Sequence, residues 1–130
     1  MKNITLKVND NLSIILRDVR EVFGHDDSLP YNALVVVDEP KSKTLTYIGR
    51  VWNDGWGGPS CIEPATEAGR KKMEELDKYL ADTFSYKYKF DGDDREFTMT
   101  TDLEFVLDEM AWFAIDCGKS RLTMEELLKD

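Results

Sequence analysis

The spacing of apolar residues changes along this chain, and that change restricts the fold more than any other feature. In the first half apolar residues alternate with polar ones, as at Ile4, Leu6 and Val8, which predicts strands with one buried face. From Leu103 to Cys117 they recur at steps of three and four, which predicts an amphipathic helix. Both kinds of element therefore contribute to one core.

Turn residues divide the alternating segments into three hairpins. Asn9-Asp10-Asn11 joins the first alternating run to a second at Leu12–Leu16. Glu39-Pro40-Lys41-Ser42 joins a buried strand at Ala33–Val37 to a long return strand, which ends near Trp52. The third hairpin joins the alternating aromatics of 84–90, through Asp91-Gly92-Asp93-Asp94, to Phe97 and Met99. Asp18 is expected to cap a short helical turn through Val19, Val22 and Phe23 that Gly24 closes.

Capping residues mark the helices. Thr66 is the expected N-cap of a helix to about Thr83, in which Gly69 weakens the first turn by roughly 1 kcal/mol. The strongest helix begins at Thr101 or Asp102 and ends at Gly118. A short third helix begins at Thr123, where Glu126 completes a capping box. Residues 1–130 are thus expected to form a single α+β domain, a largely antiparallel sheet of about five to six strands with two main helices and a short C-terminal helix on one face.

The net charge of -9 is concentrated in the last third of the chain. Residues 91–130 hold twelve acidic and four basic side chains, whereas the first ninety residues are nearly neutral. Direct nucleic-acid binding is not expected, because phosphate contacts need a positive footprint. An acidic face can instead bind a basic partner or imitate nucleic acid, or simply keep the protein in solution.

The chain starts without an apolar leader and has no apolar run of membrane-spanning length, which predicts a cytoplasmic protein without membrane association. Cys61 and Cys117 are expected to be free thiols, Cys117 buried and Cys61 near a loop, although a disulfide between them stays open. Homo-oligomerisation also stays open.

The stretch RVWNDGWGG, from Arg50 to Gly58, is the first candidate site. Its glycines allow backbone N–H groups to point at an anion, and the helix that follows adds positive potential at its N-terminus. Tryptophan rings offer faces for a base or sugar. The expected ligand is an anionic small molecule or signalling nucleotide, and no cofactor is expected. Its site would comprise Arg50, Trp52, Asn53, Asp54, Trp56, Gly57, Gly58 and Arg70. The alternative is a structural connection whose tryptophans anchor it to the core.

The motif NDGWGG resembles the N-D-G-x-G-G motif of small phage and mobile-element proteins, over about Leu45 to Leu80. The resemblance implies a non-enzymatic protein that counters host defence by trapping a signalling nucleotide or by binding a host protein.

The second candidate surface lies on the helix that begins near Asp102. Phe105 and Trp112 do not belong to the apolar stripe of this helix that is expected to face the core. They lie on another face, together with acidic side chains. A basic host protein would bind there through Phe105, Asp108, Glu109 and Trp112. In the alternative, the terminal segment with Met124, Leu127 and Leu128 covers this face.

Catalysis is the least favoured class. Ser60 and Cys61 lack a local base, and Asp54 with Glu63 would have to meet as an acid/base pair for a small hydrolase or transferase. His25 is the single histidine and is expected to be a loop residue. A zinc site would need several ligands at recognisable spacing, so no metal is expected.

Overall fold

A computed structural model describes residues 2–22, 30–55, 58–89 and 91–129 of the chain. Within these residues the chain forms eight strands and three α-helices. The strands are β1 (Lys2–Asn9), β2 (Leu12–Glu21), β3 (Tyr31–Glu39), β4 (Thr44–Asn53), β5 (Cys61–Pro64), β6 (Tyr86–Tyr88), β7 (Phe97–Met99) and β8 (Arg121–Thr123). The helices are α1 (Glu67–Phe84), α2 (Leu103–Ile115) and α3 (Met124–Leu128).

Six strands form one sheet in the order β5-β4-β3-β2-β1-β8. Neighbouring strands are antiparallel, except that β8 runs parallel to β1. The short strands β6 and β7 form a separate hairpin. The α+β prediction and the three predicted hairpins are therefore confirmed, whereas β5 and β8 were not predicted.

The core lies between the sheet and the two main helices. Ile4, Leu16 and Val35 of neighbouring strands belong to one core cluster with Met110 of α2, and all four side chains are fully buried. Alternate residues of the same strands point away from the helices, as the period of two requires. The helices therefore cover one face of the six-stranded sheet.

Helix α1 packs unusually close to β4. Thr66 caps the helix, and its Oγ1 accepts the Gly69 N–H at 2.9 Å. A Cβ atom at Gly69 would collide with the Ile48 carbonyl oxygen. The glycine lowers helix propensity, as the sequence predicts, but it also permits this close approach.

Two local predictions are wrong. The segment after Asp18 is not a helical turn, because β2 continues through it to Glu21; Gly24 lies outside the described residues. Helix α2 ends at Ile115, and Cys117 beyond it is exposed rather than buried. Gly118 adopts a left-handed conformation (φ 65°) and turns the chain back toward β8.

Candidate functional site

The sheet face that the helices leave uncovered is here called the open face. Strand register places its residues in rows across the strands. One row runs Arg17, Leu34, Arg50 and Glu63, and the next runs Arg20, Asn32, Trp52 and Cys61. Arg121 and Lys7 lie on the same face, on β8 and β1. The open face is therefore rich in basic side chains, although the chain as a whole is acidic.

A groove crosses the open face from β2 to β4, and it is here called the sheet-face groove. It has a volume of about 550 Å³, which lies within the roughly 300–1,000 Å³ typical of small-molecule sites. The side chains that define it are Arg20, Asn32, Leu34, Arg50, Trp52 and Asn53. Asp18 and Asp54 add a carboxylate at each end. The groove thus offers cations, amides, one aromatic ring and hydrogen-bond acceptors.

Arg50 and Trp52 lie at the β4 side of the groove. The Arg50 guanidinium carbon is 4.5 Å from the centre of the Trp52 ring, a cation–π contact. Its Nε lies 3.5 Å from the Glu63 carboxylate on β5, an ion pair that is more than half exposed. A planar guanidinium held over an indole is a stacking platform whose N–H groups remain directed at its edge.

The loop between β4 and β5 is tied to helix α2 by a chain of side-chain hydrogen bonds. The Asn53 amide nitrogen donates to Ser60 Oγ at 3.2 Å, and Ser60 Oγ donates to Asp108 Oδ1 at 2.6 Å. Tyr31 Oη donates to the same Asp108 oxygen at 2.7 Å. Asn53 Oδ1 accepts the Gly55 N–H, which closes a tight turn. The end of the groove is therefore held by α2.

This network changes the acid–base properties of its members. Burial, followed by the Asp108 charge, raises the pKa of Tyr31 far above its usual range, so Tyr31 stays a neutral donor. Partial burial raises the pKa of Glu104, and the Asp108 and Asp102 charges add to the effect. A Ser60 backbone N–H donated to the Glu104 carboxylate acts in the opposite direction.

The structure brings together four residues of the predicted ligand site, namely Arg50, Trp52, Asn53 and Asp54. Gly58 is exposed, and its carbonyl accepts a hydrogen bond from the Asn53 amide at 3.3 Å. Trp56 and Gly57 lie outside the described residues. Arg70 lies on α1, against the covered face of the sheet, where its guanidinium pairs with Glu67 at 3.2 Å. Arg70 does not line the groove.

The predicted interface on α2 is largely engaged within the protein. Phe105 is partly buried and packs against the core. The Asp108 carboxylate accepts hydrogen bonds from the Ser60 and Tyr31 hydroxyls. Glu109 is half-buried and also interacts within the chain. Trp112 is 37% exposed and contacts Phe113 edge-on. Phe105, Asp108 and Glu109 are thus partly exposed and Trp112 is exposed, and the interface on this helix stays a prediction.

Sequence reasoning missed the contribution of β2 and β3 to the groove. Asn32 follows from the alternation of the predicted strand, because residues on either side of the buried Ala33 must point outward. Arg20 does not follow in this way, since its orientation depends on a local irregularity of β2. The sequence around Asp18 is equally consistent with a helix cap and with this irregularity in a strand.

The structure describes most of the residues considered for catalysis. Ser60 Oγ is bonded to a carboxylate shared with Tyr31, Glu63 pairs with Arg50, and Cys61 is exposed. His25 lies outside the described residues. In the described part of the chain, no cluster of three or more His, Cys, Asp or Glu side chains is arranged to hold a metal ion.

None of the helices among the described residues has the length and apolar character needed to cross a bilayer. Comparisons of the chain with protein-family models, with curated proteins and with solved structures found no match. The geometry of the sheet-face groove is therefore the basis for any functional assignment.

Proposed function

We propose that this protein binds a small anionic molecule, a nucleotide by preference, in the sheet-face groove, without chemical turnover. The observation that carries the proposal is the Arg50–Trp52 pair at 4.5 Å beside the Asn53 amide. A base can stack on the guanidinium–indole pair, and arginine N–H groups can bind phosphate. The Asn32 amide and the second lone pair of Asn53 Oδ1 can read polar edges of the base.

Preorganisation supports this proposal. Asn53 is held through Ser60 to Asp108 on a main helix. A binding group fixed in this way loses little conformational entropy when a ligand arrives. Sequestration of a signalling nucleotide would also suit the counter-defence role that the N-D-G-x-G-G resemblance implies.

Isothermal titration calorimetry against mono-, di- and cyclic nucleotides tests the proposal. Arg50→Ala and Trp52→Ala should each weaken binding about tenfold or more. Arg70→Ala is the matched control, an arginine on the covered side of the sheet, and should leave affinity unchanged. Circular dichroism checks that each variant is folded.

The proposal fails if the wild-type protein binds none of these nucleotides at millimolar concentration. It also fails if Arg70→Ala weakens binding as much as Arg50→Ala does, since the site would then lie elsewhere. Release of a hydrolysed or transferred product in the titration cell would overturn the absence of turnover.

A further inference from the structure

Strand β2 contains a β-bulge opposite β3. Arg17 pairs with Leu34 and Arg20 with Asn32, so β2 uses one residue more than β3 over the same span. Asp18 adopts φ 55°, in the left-handed region that non-glycine residues seldom enter. Its N–H donates to Asn3 Oδ1 at 3.0 Å, which holds the bulge against β1.

The bulge decides which way Arg20 points. Under strict alternation Arg17 and Arg20 would lie on opposite faces, since they are three positions apart. The extra residue instead turns Val19 into the core, where it is buried, and returns Arg20 to the open face. Bulges commonly redirect a side chain at a binding site in this way.

The two arginines give the sheet-face groove a cationic end on β2. Arg20 lines the groove, and Arg17 pairs in the strand register with Leu34, which also lines it. Arg17 is exposed. The Arg50–Trp52 pair lies two strands away, at about 10 Å for ordinary strand spacing.

We propose that the groove binds a nucleoside monophosphate lengthwise, with its phosphate at Arg17 and Arg20 and its base at the Arg50–Trp52 pair. This inference rests on the proposed function. The separation of the two ends suits one nucleoside with a single terminal phosphate. Asp18 limits the number of phosphates, because its carboxylate lies at the cationic end and repels additional negative charge.

Calorimetry with AMP, GMP, CMP and UMP, each beside its unphosphorylated nucleoside, tests the orientation. Arg17→Ala and Arg20→Ala should weaken monophosphate binding about tenfold or more, and should leave nucleoside binding unchanged. Trp52→Ala should weaken both. Arg121→Ala is the matched control, an exposed arginine on β8 of the same face, and should change neither.

A second variant tests the role of Asp18. Asp18→Asn keeps a residue type that tolerates the left-handed conformation and removes the charge. It should raise the affinity for ADP relative to AMP severalfold, whereas the wild type prefers AMP. Equal ADP/AMP ratios in the two proteins would overturn this part of the inference.

The outcomes separate this inference from the proposed function. If the wild type binds the monophosphates and neither arginine variant weakens them, the orientation is wrong and the binding function stands. If both variants weaken nucleosides as much as monophosphates, the arginines act on the groove structure rather than on phosphate. If the wild type binds no monophosphate, nucleoside or inorganic phosphate, the proposed function itself fails.

Discussion

Glu104 lies in the first turn of α2. The ionisation of its carboxylate should change the stability of the folded protein measurably. Its pKa is raised, first by burial and then by Asp108 and Asp102, so the folded protein holds this proton more tightly than the unfolded chain does. Ionisation of Glu104 therefore opposes folding. This ionisation lowers the free energy of unfolding. The loss is absent at pH values below the unfolded-state pKa of Glu104 and complete above its folded-state pKa.

Glu104→Gln should consequently raise the thermal midpoint at pH 7–8 and have progressively less effect as the pH falls below 5. The Gln side-chain oxygen can still accept the Ser60 N–H, so the variant removes mainly the charge. Glu74→Gln, an exposed glutamate on α1, should leave the midpoint nearly unchanged. Thermal unfolding followed by circular dichroism from pH 4 to 8 measures both. A lower midpoint for Glu104→Gln at pH 7.5 would contradict the reasoning.

Among the secondary-structure elements, the β4–β5 loop is joined to helix α2 through the carboxylate of Asp108. Asp108 accepts hydrogen bonds from Tyr31, which is 1% exposed, and from Ser60, which is 8% exposed. Asp108→Ala leaves both hydroxyls without this acceptor in a buried setting. We expect a loss of about 2–4 kcal/mol in the free energy of unfolding, measured by urea denaturation. Asp108→Asn, which keeps an acceptor oxygen, should lose less.

Asp116→Ala is the control for Asp108→Ala, since Asp116 is exposed just beyond the end of the same helix. Its free energy of unfolding should stay within about 0.5 kcal/mol of wild type. Equal midpoints for the Asp108 and Asp116 alanine variants would show that the network does not stabilise the fold. The comparison also matters for the predicted acidic interface on α2. A loss of partner binding on substitution of Asp108 could come from a disturbed fold as well as from the lost surface charge.

For the molecule as a whole, the sheet order keeps the two cysteines apart. Cys61 lies on β5 at one edge, and Cys117 follows α2, whose last carbonyls accept hydrogen bonds from Lys2 of β1. Strands β5 and β1 are four spacings apart, about 19 Å. A disulfide requires Cα atoms within about 7 Å. The alternative of an internal disulfide, which the sequence left open, is therefore excluded by the fold.

Mild oxidation should accordingly produce dimers joined through exposed thiols and no internally crosslinked monomer. Mass spectrometry of the oxidised monomer, after blocking free thiols, should find both cysteines modified by the blocking reagent. The Cys61→Ser, Cys117→Ser double variant should form no dimer and should unfold at the wild-type midpoint. An oxidised monomer with a Cys61–Cys117 peptide pair would refute this separation.

Local signals explain which elements the sequence predicts well. The N-cap at Thr66 and the capping box at Thr123 depend on residues within one helical turn, and both are present. Strand β8 is too short to show a period, and it forms because distant residues of β1 accept it as a partner. The cost of Gly69 in a helix is visible in the sequence, whereas its benefit depends on Ile48 of another element.

The candidate site divides in the same manner. Arg50 and Trp52 are alternate residues of β4 on its outward face, and Asn53 is the last residue of that strand. Because the three lie within four positions of one another, the sequence alone places them together. Asn32 and Arg20 join them only through strand register. Asp is common at turns and helix caps, so the left-handed backbone at Asp18 has no distinguishing sequence signal.

The parallel pairing of β8 with β1 has a consequence for synthesis of the chain. Strands β1 to β4 pair with their sequence neighbours and can associate as they leave the ribosome. The outer edge of β1, by contrast, stays without its partner until Arg121–Thr123 has been translated. An unpaired strand edge is a site of aggregation. The nascent protein therefore carries this open edge from the synthesis of β1 until β8 has been made, and β8 then covers it at Thr5–Lys7.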